Sequence, residues 1–250
     1  MIDRNNATPP LSGRLAIVPA RGGSKRVPGK NIRDFAGRPM IAHILETARR
    51  SGLFETIHVS TESDTIAALI DRLGYKTDFM RPADLASDDT PLMPVLRYVA
   101  ETYAARGRRF DEIWLLVACS PMIETVDLRG AAELYAQWEA NLAVIAVTAY
   151  PAPVEWAYER EADGQLRPRE PGKFAVQSQD LGGAKYYDAG TFAIFPAQRV
   201  LRSTGAGDDT GFVGYVLPRH KAIDIDTEED WHFAEILYMG TRHLGSCQVR

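Results

Sequence analysis

The residues able to do chemistry form two groups, one near each end of the 250-residue chain. The first is Arg21-Gly-Gly-Ser-Lys-Arg-Val-Pro-Gly-Lys-Asn31, in which Arg21, Lys25, Arg26 and Lys30 crowd a stretch punctuated by Gly22, Gly23 and Gly29. Glycines let backbone N–H groups approach a ligand closely, and a set of such groups makes an anion nest. Cations packed this tightly repel one another unless something negative lies among them, and a polyphosphate meets that need. A solvated basic turn is the plainer alternative, disfavoured by the glycine and proline spacing. The common Gly-x-x-x-x-Gly-Lys-Ser/Thr phosphate loop is absent, since Gly23 is followed by Gly29 and then Lys30-Asn31.

The second group is Asp224-Ile-Asp226. On a strand, residues two apart share a face, so the two carboxylates would stand together and raise each other's pKa unless a cation lay between them. Mg²⁺ favours one or two carboxylates plus phosphate oxygens. The other reading is an acidic strand end feeding a helix N-terminus, and a polyphosphate loop elsewhere in the chain tilts the choice toward the metal. Weaker signals are Arg81, able to reach a phosphate or ribose, and Ser120-Pro121 after an apolar strand. His43 and His58 fall within helix and strand patterns and read as structural. No spacing singles out a covalent nucleophile, so the chemistry reads as positioning and electrostatics.

The elements that must carry these groups alternate as in a parallel α/β sheet. Leu15–Val18 is a buried strand ahead of the basic loop. A helix over 39–50, a strand over Thr56–Ser60 and a helix capped by Thr61–Ser63 follow. Tyr75–Phe79 reads as a strand, Pro91–Ala105 as a helix, and Glu112–Ala118 as the most apolar, central strand. Leu128–Glu139 is the next helix and Ala143–Thr148 the next strand. Prolines and scattered charges mark 150–188 as an excursion outside the sheet, before a strand over Tyr186–Phe195. His220–Asp226 reads as a strand, with Thr227 capping a last helix. In such sheets ligands lie beyond the strands' carboxyl ends, which gathers the unusual residues on one rim.

Composition narrows the class. With 45% hydrophobic and 25% charged residues and a net charge of −4, the chain is ordinary for a globular protein and unlike a nucleic-acid binder. Cys119 and Cys247 are far apart with no metal-ligand spacing, which suits a reducing compartment and no zinc. No run is long and apolar enough to span a bilayer, and the start lacks a signal pattern, so no membrane and a cytoplasmic location are expected. Residues 1–13 read as a disordered lead-in, 14–240 as one domain, and 241–250 as a tail.

The quoted loop, with Gly37-Arg-Pro-Met40, Val59-Ser-Thr61, Arg81-Pro-Ala-Asp-Leu85 and Asp224-Ile-Asp-Thr-Glu-Glu-Asp230, closely resembles the acylneuraminate cytidylyltransferases, or CMP-sialic acid synthetases, over residues 14 to 240. That resemblance implies a Rossmann-like, mostly parallel sheet flanked by helices. It also implies an enzyme joining CTP to the anomeric hydroxyl of a nine-carbon nonulosonic acid with Mg²⁺, giving the CMP-sugar and pyrophosphate. Carried over, Arg21, Ser24 and Lys30 would hold the triphosphate. Ala20, Gly22, Asn31, Arg81 and Ser120 would line the nucleotide site, Arg21 and Lys30 also serving catalysis. Asp224 and Asp226 would hold the metal, and Val117, Gln179 and Asp188 would meet the sugar. The 150–188 excursion would be the dimerisation arm of a homodimer.

The departures favour one branch. Leu116-Val-Ala-Cys-Ser-Pro121 stands where sialic acid enzymes usually read Leu-Gln-Pro-Thr-Ser-Pro, so Val117 replaces a sugar-contacting glutamine. Asp188-Ala-Gly190 replaces an Asn-Gly pair. These, with Val147–Pro153, Ser178–Leu181 and Leu217–Lys221, look more like the pseudaminic acid cytidylyltransferases, whose 9-deoxy sugar ends in a methyl group. CMP-N-acetylneuraminate, CMP-legionaminate or CMP-KDO synthesis are the enzymatic alternatives, the last set back by Asn31 where that branch carries proline. A catalytically silent nucleotide-sensing module is the alternative of another class.

Overall fold

The computed structural model describes residues 13–138 and 142–247, with side chains as far as residue 243. The lead-in therefore lies outside the described residues except for Gly13. In chain order the elements are β1 (Arg14–Pro19), β2 (Asp34–Phe35), β3 (Arg38–Pro39), α1 (Met40–Ser51), β4 (Thr56–Ser60), α2 (Asp64–Arg72) and α3 (Leu92–Ala105). They continue as β5 (Glu112–Leu116), α4 (Thr125–Gln137), β6 (Ala143–Ala149), β7 (Tyr158–Arg160), β8 (Leu166–Pro168) and β9 (Tyr186–Pro196). Last come α5 (Ala197–Arg202), β10 (Phe212–Val216) and α6 (Glu228–Cys247).

Six strands form one sheet in the order β10-β6-β9-β5-β1-β4. β1 runs parallel to β4 and β5, and β10 runs parallel to β6. β9 lies antiparallel to both β5 and β6. The sheet is mostly parallel, flanked by helices, and β5 is central as its unbroken apolar run requires. Both faces are covered. Along β1, Ala16 and Val18 enter one core with Ile41, Ile44 and Leu128, while Leu15 and Ile17 enter the other with Leu96 and Val99. A third cluster lies off the sheet and joins Val27, Phe35, Met40, Cys119, Ile225 and Trp231.

Local signals account for most boundaries. Pro39 sits at the N-cap of α1, and Gly52 ends that helix in the left-handed conformation at φ 67°. The Ser63 side chain accepts from the Ile66 N–H at the start of α2. Four expectations are corrected. Tyr75–Phe79 is not a strand; β4 closes that edge, and Phe79 instead stacks on His58 at 4.4 Å between ring centroids. α4 opens at Thr125, because Asp127 accepts from the Glu124 N–H at 2.8 Å and fixes the start there. Residues 220–226 are no strand but a short turn, Arg219–Lys221, followed by an irregular segment. The last helix runs on to Cys247, through much of the expected tail.

Two histidines titrate inside this fold. His58 and His43 are each buried, and loss of water pushes both pKa values down to about 4. The His58 ring N–H donates to the Tyr103 oxygen (3.2 Å), whose O–H in turn donates to Asp78. Because the folded values lie below the unfolded value of about 6.5, these groups take up protons on unfolding. Their contribution is complete above that value and lost as pH falls toward 4. Each should remove about 2 kcal/mol of stability between about pH 7 and about pH 5. His58→Phe keeps a ring on Phe79 and should lose correspondingly less stability on acidification, read from urea midpoints; an unchanged pH slope would contradict the assignment.

Candidate active site

The basic loop leaves the carboxyl end of β1 and is held as a series of turns. Val27 anchors it in the third cluster, and Gly29, at φ 64°, accepts from the Ile32 and Arg33 N–H groups at 2.9 Å each. Asn31, expected at the nucleotide, is buried and spent internally. Its amide donates to the Arg21 carbonyl at 3.0 Å and accepts from the Cys119 thiol at 3.4 Å. It therefore fixes the path of the loop's main chain against the end of β5. Burial pushes the Cys119 thiol up to about 12, so it stays a neutral donor.

Two carboxylates that sequence reasoning did not single out stand among the cations. Asp88 meets Arg21 Nη1 and Lys25 Nζ at 2.5 Å each, and hydrogen bonds from these cations hold its carboxyl below the usual range. Glu62 accepts from the Gly22 N–H at 2.7 Å and from Arg81 Nη2 at 2.6 Å. Burial alone would raise the Glu62 pKa; the Arg81 and Gly22 hydrogen bonds outweigh it, and the carboxyl lies below its ordinary value. Arg81 is buried and its Nε finds no partner among the described residues. Ala20 is buried and donates its N–H to the Ser60 carbonyl, while Ser24 is half-buried on the loop. The signal that could have found Glu62 and Asp88 is their place, each on a loop of the same rim.

Lys30 and Arg26 turn the other way, toward the acidic segment. Lys30 Nζ donates to the Ile225 carbonyl at 2.7 Å and reaches Asp226 Oδ1 at 3.4 Å, while Arg26 Nη1 donates to Asp226 Oδ2 at 2.7 Å. Ile225 is fully buried in the third cluster, so Asp224 and Asp226 alternate outward on either side of it without strand pairing. Asp230 accepts from the Asp226 and Thr227 N–H groups at 3.1 and 2.8 Å, closing the segment into the start of α6.

Asp224 takes no hydrogen bond or ion pair among the described residues. Its pKa is raised, first by the loss of water around the carboxyl and next by Asp226. A raised carboxyl beside a like charge, with an all-oxygen donor set, fits Mg²⁺. Asp224 and Asp226 would hold it. Gly190, at φ 62° in β9, presents its open face to Asp224: an added Cβ would stand 3.6 Å from that carboxyl carbon.

The sugar candidates are only partly gathered. Val117 follows β5 directly, donates its N–H to Thr191 at 2.9 Å, and packs half-buried on the second core. Asp188 lies exposed near the start of β9, its carboxylate accepting from the Gly190 N–H at 2.9 Å. The reversed direction of β9 brings that start to the rim where β5 ends. Gln179 lies on an exposed turn of the excursion, donating to Gln177 at 2.7 Å. No hydrogen bond among the described residues links the three. Ser120, buried on the same rim, donates to the Thr191 carbonyl at 3.4 Å.

Residues 15–149 match the family model described as Cytidylyltransferase. A pseudaminic acid cytidylyltransferase of Campylobacter jejuni subsp. jejuni is 33% identical over 224 residues, covering 90% of this chain and 95% of that protein. A CMP-N,N'-diacetyllegionaminic acid synthase of Legionella pneumophila subsp. pneumophila is 30% identical over 228 residues, covering 89% and 95%. Among solved structures, a CMP:2-keto-3-deoxy-manno-octonic acid synthetase complexed with CTP shares the fold with a TM-score of 0.66. It is 17% identical and covers 92% of this chain and 100% of that one. With this match over half of its length and these identities over nearly all of it, the chain belongs to the cytidylyltransferase family and is a nucleotidyltransferase.

Proposed function

We infer that the enzyme couples CTP to a nine-carbon nonulosonic acid, pseudaminic acid first, and releases pyrophosphate. The observation that carries this reading is the juxtaposition of Arg26 and Lys30 with Asp226, beside the bare carboxyl of Asp224. Arg21 and Lys25 already converge on one anionic group, Asp88, which the outer phosphates of CTP replace. The Ser24 hydroxyl adds a donor to the same phosphates, while the Gly22 N–H holds Glu62 beside them. The unpartnered, buried Nε of Arg81 supports a nucleotide acceptor reaching it. Asn31 and Ala20 serve by holding the loop. Mg²⁺ on Asp224 and Asp226 would neutralise charge at the α-phosphate and favour the ionised sugar hydroxyl. The attack is in line, and the Ile225 carbonyl fixes Lys30 beside the reacting groups.

Val117 supports a sugar that ends in a methyl group, because it offers the pocket no donor. The Campylobacter jejuni relatives named pseudaminic acid cytidylyltransferases point the same way. The excursion would form a homodimer through its exposed Tyr158, Leu166 and Phe174, bringing Gln179 and Asp188 toward the sugar. No helix among the described residues is long and apolar enough to cross a membrane. Use of CTP supports a cytoplasmic location.

Pyrophosphate release from CTP and Mg²⁺ should be fastest with pseudaminate when N-acetylneuraminate, legionaminate and KDO are run beside it. Silence with all four despite CTP binding would favour a nucleotide sensor. Asp226→Asn should cut turnover about a hundredfold or more while CTP still binds; near-normal Mg²⁺-dependent turnover would sink the metal assignment. Val117→Gln should shift the ratio of kcat/KM values toward N-acetylneuraminate by about tenfold. Glu62→Gln leaves Arg81 buried without its counter-charge, so it should lower Tm and raise the KM for CTP more than it lowers kcat. A lowered kcat at unchanged KM would place Glu62 in the chemical step instead.

A further inference from the structure

A second cavity, about 380 Å³, lies behind the β5–α4 loop, between the His43–Arg50 face of α1 and the outer part of α6. Its lining includes Arg38, His43, Arg50, Tyr238 and Arg242, and the N-terminus of α4 opens onto it through Thr125. None of these residues belongs to the catalytic rim. Arg38 comes from the Gly37-Arg-Pro-Met40 motif, which the catalytic reading leaves without a role.

The hydrogen bonding in this cavity is out of balance. His43 is neutral, since burial drives its pKa down to about 4, and its Nε2–H donates to the Phe35 carbonyl at 2.9 Å. That leaves one acceptor lone pair, on Nδ1. Three donors converge on it: Arg38 Nε at 3.2 Å, Arg38 Nη2 at 3.0 Å and the Tyr238 hydroxyl at 3.2 Å. One lone pair serves one good hydrogen bond, so the half-buried guanidinium and the phenol present donors that lack an acceptor.

The charges are out of balance as well. Lys221 is neutralised by Glu124 and Asp127 at 2.7 Å each, and Glu46 is taken by Arg49. Arg38 and Arg50 meet no carboxylate among the described residues, and Arg242 lies over the Tyr238 ring at 4.6 Å with none either. In a chain of net charge −4, three guanidinium groups line one cavity unpaired among the described residues, the lining carboxylates Glu46 and Glu124 being paired with Arg49 and Lys221. Arginine's planar fork matches phosphoryl oxygens, and the volume admits a small molecule carrying one.

We propose that this cavity is a binding site for the phosphoryl group of a small molecule, separate from the catalytic loop, with Arg38, Arg50 and Arg242 as its cationic wall and Tyr238 as a further donor. An occupant would bridge α1, the β5–α4 loop and α6. It would relieve the crowding at His43 by taking the Arg38 and Tyr238 donors.

The test is calorimetric titration of the full chain, with the catalytic site held by CTP in the absence of metal and sugar acid. Inorganic phosphate, pyrophosphate and CMP are titrated separately to show which source of the group is accepted. At least one should bind with one site per chain. The Arg50→Glu/Arg242→Glu variant should weaken it about tenfold or more, and Arg21→Ala should leave it unchanged. Binding should also move the ¹⁵N signal of His43 Nδ1, a shift that a merely structural Arg38 would not produce. Binding lost in Arg21→Ala, indifferent to the double variant, or absent for all three probes would overturn the proposal. Arg38→Lys, which keeps charge but loses the fork, serves as the check that a failure is not one of folding.

Discussion

Everything at the catalytic rim depends on a tie between residues 195 positions apart: the Lys30 ammonium bound to the Ile225 carbonyl and set beside Asp226. It is half-buried, and it stands over the third apolar cluster, in which Val27 of the loop and Ile225 of the acidic segment share one interior with Trp231. Apolar burial supplies the free energy, and the ammonium supplies the register. Were Ile225 not driven inward, the carboxylates on either side of it would have no fixed outward direction. The chemistry of the acidic pair is thus a consequence of packing and not of strand pairing. Arg33 reinforces the same junction, bonded to Glu228 at 2.7 Å and lying over the Trp231 ring at 4.4 Å.

The reversed strand β9 does the corresponding work for the proposed sugar residues. A fully parallel sheet would put the start of β9 on the far rim, away from the loops after β1, β4 and β5. Running antiparallel, β9 delivers Asp188 and Gly190 to the catalytic rim instead. The ladder to β6 slips between Ile145 and Val147, and near that irregularity Gly190 takes a positive φ that a side chain would strain. The departure of Asp188-Ala-Gly190 from the related Asn-Gly pair retains the glycine at the place where the backbone needs it.

How much of this was legible in the sequence follows from what each feature depends on. Strands buried on both faces, such as Leu15–Val18 and Ile113–Leu116, declare themselves by composition, and the caps at Gly52, Ser63 and Thr227 by residue type. The basic loop was legible because its charges need an anion wherever the chain folds. The partners Glu62 and Asp88 were not, since nothing local marks a carboxylate as facing a loop forty or more residues away. Asn31 shows the converse limit: motif position suggested ligand contact, and only the folded structure reveals the internal bonds of its amide to Arg21 and Cys119. The false strand at Tyr75–Phe79 had the right alternation but no sheet edge to join.

A loop that gathers cations for a polyphosphate must also hold its shape when none is bound. Here that stability comes from carboxylates set among the loop's donors: Asp88 between Arg21 and Lys25, Glu62 on the Gly22 N–H, Asp226 between Arg26 and Lys30. The three differ in what they can release. Glu62 is itself held by the buried Arg81, so it stays as a brace. Asp226 is bound from both sides and by the start of α6, so it stays in place. Asp88 lies on an exposed loop with Arg21 and Lys25 as its partners among the described residues, so on the proposed reading it is the one that would leave. On the proposed reading, nucleotide binding at this rim would be an exchange of one anion for another, its affinity measuring the excess of phosphate over carboxylate and not the full attraction of the cations.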